Sequence, residues 1–395
     1  MEDELVTLSR KELKRAVVIE KTLEGQISNA ECASLLGLSV RQVIRLKNSY
    51  RHNGAGGLIH GNRGRKPCHA LTQEIKEKIL ALYNSKYGGS NCCHFSELLR
   101  EREGLEVSVP SVRRILQEGG LKQKHVRRRP RAHCPRARKA QAGMMWQIDA
   151  TPYAWLEDRT SPFALHAAID DATGIVTGAV FRKHECMEGY FAVMEQGIVG
   201  YGLPLSLYSD KHTIFRSPNE KLTEEQELMG EEFPLSQFGM AMKDLNIEHI
   251  KANSPQAKGR VERLWGTLQD RLVTELKLLE ITTMEEANRV LPELIRKHNL
   301  RFAVKAQSEK SAYLEINRNL SLEEVFAVRE YRRIGAGCTI SLRGELYTPL
   351  KKEECFFAVR SVVEIRKSMS GKVFIWHNGK AVILMRLEKA QRVAA

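Results

Sequence analysis

The chain has 395 residues, with 62 Lys and Arg against 48 Asp and Glu, a formal net charge of +14 and a sequence pI of about 9.4. An apolar fraction of 42% and a mean hydropathy of -0.36 exclude disorder throughout. No apolar run approaches the ~18 residues that cross a bilayer, and the first ten residues are acidic where a signal peptide is basic, so a cytoplasmic protein without membrane partners is expected, with a polyanion such as nucleic acid as its partner.

The eight cysteines form no Cys-x-x-Cys pair, which predicts scattered reduced thiols and no structural zinc. Residues 1–66 are expected to form a helix-turn-helix DNA-binding domain. Ser28 with Glu31, and Ser39 with Gln42, are capping boxes that start two helices, and Gly37 lies at the turn between them. On the second helix Val43, Leu46 and Tyr50 recur at steps of three and four, while Arg41, Arg45 and Asn48 do so on the opposite face. Arg can pair with guanine and Asn with adenine in the major groove, which makes these three candidate base readers; the alternative is a solvated polar face. Arg63 and Arg65 flank Gly64 in a basic arm that suits the narrow minor groove or serves only as a linker.

Residues 67–121 predict a second helical DNA-binding domain. Thr72 can cap a helix carrying Ile75, Ile79 and Leu82, and a helix after Pro110 carries Val112, Ile115 and Leu116, with Arg113 and Arg114 facing outward. Residues 122–142 form a basic linker. From Lys122 to Lys139 nine Lys and Arg occur with no Asp or Glu, so the segment is either solvated or lies along phosphates. The latter is favoured, with Arg127, Arg128 and Arg129 at its centre.

Residues 143–302 change to strands. Three apolar runs at 144–151, 163–169 and 175–181 precede a helix at 187–199, a run at 203–209, a helix near 236–245, a strand at 247–250 and a long helix from Arg260. This order describes a mixed five-stranded sheet with helices, an α/β ribonuclease H-like core. Asp149 lies in the first strand, Asp210 just after the fourth, and Glu262 in the first turn of the last helix. The topology lets the three converge. Such a cluster repels itself unless divalent cations neutralise it, and two Mg²⁺ or Mn²⁺ ions can serve an in-line phosphoryl displacement.

Four motifs in order, Trp146-Gln147-Ile148-Asp149, Ile169-Asp170-Asp171-Ala172-Thr173-Gly174, Tyr208-Ser209-Asp210 and Ser254-Pro255-Gln256-Ala257-Lys258-Gly259-Arg260-Val261-Glu262-Arg263, resemble the DDE catalytic core of retroviral-type integrases and bacterial insertion-sequence transposases. The resemblance is closest to the ISNCY type, which joins an N-terminal helix-turn-helix to this core. It implies that Asp149, Asp210 and Glu262 are catalytic metal ligands and that Lys258 and Arg260 line the DNA. The interval from Asp210 to Glu262 is longer than in retroviral integrases, and the excess is an acidic stretch at 215–232, expected as an inserted loop or short helix. Asp170 and Asp171 read as hairpin-turn residues, and Trp265, Leu268 and Leu272 as core packing.

Residues 303–330 are expected as a helical connector, and 331–395 as a small β-barrel of five short strands. The fold class is therefore multidomain: N-terminal all-α helix-turn-helix units, a central α/β core and a C-terminal barrel. The resemblance implies a DNA transposase that binds terminal inverted repeats of double-stranded DNA, cleaves there, joins the freed 3′-hydroxyl to target DNA, and works as a homo-oligomer. It would be nucleoid-associated when DNA-bound. The alternatives are a DNA-binding regulator with an inactive core and a metal-dependent nuclease without strand transfer.

Overall fold

The computed structural model describes residues 7–63, 70–122, 136–216, 235–251, 259–317, 321–351, 353, 356–377 and 380–387. The chain divides into two compact units, Met1–Lys78 and Ile79–Ala395. Among the described residues no helix is long and apolar enough to cross a membrane.

The first unit contains α1 (Arg10–Leu23), α2 (Asn29–Leu36) and α3 (Val40–Asn53), each opened by a capping box, at Ser9, Ser28 and Ser39. Gly37 ends α2 in the left-handed conformation, φ 62°, which costs glycine nothing. Val43 is buried against Ile19, Cys32 and Ala33, with Leu46 and Tyr50 beside it. Arg41, Arg45 and Asn48 are exposed on the other side of α3, as their spacing requires. Arg63 does not extend as an arm. Its guanidinium reaches Glu12 Oε2 at 3.0 Å and the Thr7 carbonyl at 2.9 Å.

Helices α4 (Gln73–Ser85), α5 (Cys92–Glu103) and α6 (Val109–Glu118) follow, and the ring of Phe95 in α5 meets Tyr83 of α4 and Tyr87 at 5.1 and 5.6 Å. The core follows as β1 (Trp146–Tyr153), β2 (Phe163–Asp170), β3 (Val176–Arg182), α7 (Met187–Tyr201), β4 (Ser206–Ser209), α8 (Gln237–Asp244), β5 (Glu248–Lys251), α9 (Gly259–Leu278) and α10 (Met284–Phe302). Its sheet has the order β3-β2-β1-β4-β5; β1 to β3 form an antiparallel meander, and β4 and β5 run parallel to β1. A parallel strand needs a crossover connection, and α7 and α8 supply two.

Both faces of the sheet are covered, so every residue of β2 is buried. On one face Leu165, Ala167 and Phe181 pack under Leu264, Trp265, Leu268 and Leu272 of α9. On the other, Trp146, Ile148 and Leu207 meet Tyr190, Phe191 and Met194 of α7 and Phe238 of α8. The period-two alternation of β1 therefore sends Trp146 and Ile148 to α7, and Gln147 and Asp149 toward α9. Helix α7 approaches β3 closely at Gly178, where an added Cβ would stand 2.4 Å from the Val193 carbonyl oxygen.

Four ionic contacts fasten α5 to α9 and α10. His94 Nε2 meets Glu275 at 2.9 Å, Arg102 meets Glu275 at 3.2 Å, Arg271 grips Glu97 with both guanidinium nitrogens at 2.8 and 2.9 Å, and Arg301 also reaches Glu97.

The connector is not helical through 303–317. It runs as an extended strap: Ser308 N donates to the Ala140 carbonyl at 2.9 Å, Ala312 N to Ala142 at 2.8 Å, and Leu314 exchanges two main-chain bonds of 2.9 Å with Leu203. Pairing with backbone before β1 and β4 satisfies these groups, which a helix would have bonded internally. Among the described residues, only the four-residue α11 (Leu322–Val325) is helical between 303 and β6 (Ala327–Arg333), which begins inside the expected connector.

The expected five-stranded barrel is a six-stranded antiparallel sheet in the order β6-β9-β10-β11-β8-β7, adding β7 (Ile340–Leu342), β8 (Glu345–Pro349), β9 (Val362–Ser368), β10 (Val373–His377) and β11 (Lys380–Leu387). One core of Ile334, Ile340, Val363, Ile365, Ile375 and Val382 fills it, but no β6–β7 pairing closes it among the described residues. Arg329 and Arg366 tie it to α8 through Asp244 at 2.8 and 3.0 Å.

Two histidines of the sheet, buried His166 of β2 and half-buried His249 of β5, carry their own hydrogen bonds. His166 accepts the Cys186 N–H at Nε2, 3.0 Å, and His249 shares a 2.8 Å hydrogen bond with Ser209 Oγ. Burial, reinforced by Arg182 and by Lys251 respectively, pushes each down to about 4. The unfolded chain therefore binds these protons from about pH 6.5 downward while the folded chain does not, so the contribution is present above that pH and lost as pH falls toward 4. The melting midpoint should drop progressively between pH 7 and pH 4 in a calorimetric series; a flat profile would contradict this. Gly178→Ala should cost about 1–3 kcal/mol in a urea titration, because the obstructing atom is backbone.

Candidate active site

Helix α9 lies along β1 in register. Val261 N donates to Gln147 Oε1 at 3.3 Å, Trp265 Nε1 to Asp149 Oδ2 at 3.1 Å, and Gln269 Nε2 to Thr151 Oγ1 at 3.5 Å. Each four-residue step on the helix matches a two-residue step on the strand. Trp265, expected only as core packing, is buried and also orients the first aspartate. Glu262 stands one turn before Trp265, exposed on the flank of α9.

Strands β1 and β4 pair in parallel with Trp146 opposite Leu207 and Gln147 opposite Tyr208. The pairing ends there, two residues before Asp149 in β1 and two before Asp210, which directly follows β4. Asp210 Oδ1 accepts the His212 N–H at 2.9 Å, and His212 Nδ1 lies 3.6 Å from Glu185 Oε1. Tyr190 donates its hydroxyl to the same Glu185 oxygen at 2.6 Å. Burial, then Glu185, push this phenol far up, and the charges of Asp149 and Asp210 add to the effect. The phenol thus remains a donor, within electrostatic reach of three carboxylates.

The expected convergence of three carboxylates is partial. Among the described residues no three His, Cys, Asp or Glu side chains are gathered closely enough to hold one ion. Asp149 and Asp210 both act electrostatically on Tyr190, whereas Glu262 faces a groove, because Trp265 and not Glu262 is the α9 residue that bonds Asp149. The donors themselves, anionic oxygens, suit a hard divalent cation such as Mg²⁺ or Mn²⁺.

That groove, of about 1170 Å³, is lined by Asn91, Cys93, Arg113, Lys122, Glu262 and Arg263. Arg113 of α6 therefore shares a wall with Glu262, while Arg114 is exposed beside it. Arg260, expected against DNA, is only 10% exposed and is bound to Asp171 at 2.7 Å; a guanidinium committed to a buried carboxylate is not offered to phosphate. Arg65, Arg127, Arg128, Arg129, Lys258 and most of the acidic stretch at 215–232 lie outside the described residues.

Four participants carried no sequence signal of their role. Glu185 and Tyr190 meet near Asp210 only through the packing of α7. Gln147 was visible in its motif, but its partners are Val261 and Asp171; Asp171 itself reads as a turn residue until its contacts are seen. Asp170 does organise the turn, accepting Thr173 N at 2.8 Å and Thr173 Oγ1 at 2.9 Å.

No protein-family model matches the chain. Among solved structures, the HTLV-2 integrase catalytic core domain in complex with magnesium is 21% identical, covering 38% of this chain and 83% of that one at a TM-score of 0.26. The simian T-cell lymphotropic virus intasome in complex with PP2A regulatory subunit B56 gamma is 16% identical, covering 79% and 100% at a TM-score of 0.32. These likenesses are coarse. Curated sequences are much nearer. The chain is 33% identical over 400 residues to the "Transposase for insertion sequence IS1202" of Streptococcus pneumoniae, covering 92% of this chain and 84% of that protein. It is 32% identical over 390 residues to the "Putative transposase y4bF" of Sinorhizobium fredii, covering 98% and 84%. With identity sustained at this level from end to end, the chain belongs to the insertion-sequence transposase family.

Proposed function

We propose that the protein is a DDE transposase, a polynucleotidyl transferase with a ribonuclease H-like core that cleaves double-stranded DNA at transposon ends and joins the freed 3′-hydroxyl to target DNA. What supports this reading is that Asp149 of β1 is held by Trp265 of the same helix that bears Glu262 in its first turn, and that Asp210 directly follows β4, the parallel neighbour of β1. Asp149 and Asp210, with Glu262 from the flank, would hold two Mg²⁺ or Mn²⁺ ions. When bound, these would activate the attacking oxygen and stabilise the leaving one.

The chain's own residues do the rest. Trp265 orients Asp149 through Oδ2, and the His212 amide orients Asp210 through Oδ1. Tyr190, kept protonated, donates near the aspartates without adding charge. Water for hydrolysis and the 3′-hydroxyl for joining attack phosphorus in the same way, so one site serves both steps and no covalent enzyme intermediate is required.

DNA would reach this site along the groove beside Glu262, with Arg113, Lys122 and Arg263 on phosphates. Helices α2 and α3 would act as the helix-turn-helix that reads the ends through Arg41, Arg45 and Asn48. The linker around Arg127, Arg128 and Arg129 would lie along the backbone. Two ends must be cut and joined together, so the family reading implies a homo-oligomer. The flanking position of Glu262 favours one rival, a DNA-binding regulator whose core does not react. A nuclease without joining is the other.

Asp149→Asn, Asp210→Asn and Glu262→Gln should each reduce cleavage to background with Mg²⁺ or Mn²⁺ while end binding in a mobility-shift assay stays within a few-fold. A variant with full activity refutes its residue's role, and a wild-type protein that binds ends without cleaving is the regulator. Products that are cut but never joined identify the nuclease. Arg45→Ala should reduce discrimination between end and unrelated DNA. Removing Arg127, Arg128 and Arg129 should weaken binding to all DNA and lower the slope of log affinity against log salt by roughly 0.9 per lost phosphate contact.

A further inference from the structure

We propose that Asp171 and Gln147 are positioning residues that set the start of α9 and thereby the placement of Glu262; this rests on the reading of Glu262 given above. Asp171 is wholly buried, and a buried carboxylate is tolerated only when it is fully paired. The hairpin turn does not need it, since Asp170 supplies the acceptor for Thr173. Four bonds to its carboxylate come from outside the turn. Oδ1 accepts Gln147 Nε2 at 2.9 Å, Arg260 Nε at 2.7 Å and the Arg136 guanidinium, and Oδ2 accepts Lys139 N at 2.8 Å.

Gln147 completes the link. Its amide nitrogen donates to Asp171, which orients its carbonyl oxygen to accept Val261 N at 3.3 Å. The first N–H groups of a helix have no partner within it, and this is one of them. Arg260 and Val261, the two residues before Glu262, are thus each fastened, one to the β2–β3 hairpin and one to β1. Gln147 is also two residues before Asp149 on the same face of β1, so one side chain references both carboxylates to a common frame.

Two substitutions in the full chain test this: Gln147→Leu, which keeps the volume and removes both bonds without stranding a charge, and Asp171→Asn, which weakens the grip on Arg260. Amide hydrogen exchange read by mass spectrometry should show residues 259–264 exchanging roughly fivefold to tenfold faster in Gln147→Leu, with the middle of α9 and the melting midpoint little changed. Strand transfer should lose kcat by a similar factor or more with KM for end DNA unchanged. Unaltered exchange at 259–264, or a KM effect with kcat intact, overturns the proposal. Should Asp171→Asn fail to fold, Gln147→Leu decides alone. Failure of the transposase reading is seen separately: Glu262→Gln retaining strand transfer would remove the role of Glu262, while the exchange measurement still reports whether its helix start is fixed.

Discussion

Four residues of α-helix rise about 6 Å and two residues of strand about 6.6 Å. The candidate site depends on that near-equality. It lets Val261, Trp265 and Gln269 of α9 stay in step with Gln147, Asp149 and Thr151 of β1 over three successive contacts. A helix crossing the strand at a steep angle would touch one of these residues and leave the others. Because α9 runs along β1, the position of any residue in its first turns is fixed relative to Asp149, and Glu262 inherits a defined offset of one turn from Trp265. The apolar residues between these contacts, Leu264, Leu268 and Leu272, hold the alignment by burial in the same core as Leu165 and Phe181.

Around this seam the chain uses charge in two ways. At the hairpin, Asp171 is buried and balanced by Arg136 and Arg260, a pairing whose removal from one side leaves an uncompensated charge. Between α5 and the helices α9 and α10, buried Glu97 receives Arg271 and Arg301, and half-buried Glu275 receives Arg102 and His94. These contacts join segments nearly 200 residues apart in sequence and hold α5 beside the helix that lines the groove with Glu262. Arg271 is consumed by this work, which leaves Arg113, Lys122 and Arg263 as the groove's cations for a polyanion.

What could be read in the sequence was whatever is encoded locally. Capping boxes at Ser28 and Ser39 mark helix starts because both partners lie within four residues. The three strand runs and the long helix were legible for the same reason, since periodicity is a neighbour property. The positions of Asp149 within β1 and of Asp210 directly after β4 followed from those runs. The strap at 303–317 was misjudged because its mixed polar composition says nothing about pairing with Leu203, Ala140 and Ala142, all more than a hundred residues away. Arg260 shows the same limit: an Arg beside a Lys in a loop motif suggests phosphate, and only the fold reveals Asp171 as its partner.

The offset of Glu262 from the aspartate pair sharpens the chemical reading. Asp149 lies within β1 and Asp210 directly after β4, bonded by Trp265 and the His212 amide, and Glu262 sits on the groove wall with Arg113 and Arg263. On the transposase reading, those cations would draw a phosphate to the side of the groove where Glu262 stands. The negative charge of the substrate would then be offset by the arginines, and the three acids would be spanned by cations that the substrate's own oxygens help to hold. A site of this design places its acidic groups from two separate elements, so its assembly depends on how firmly the start of α9 is anchored to β1.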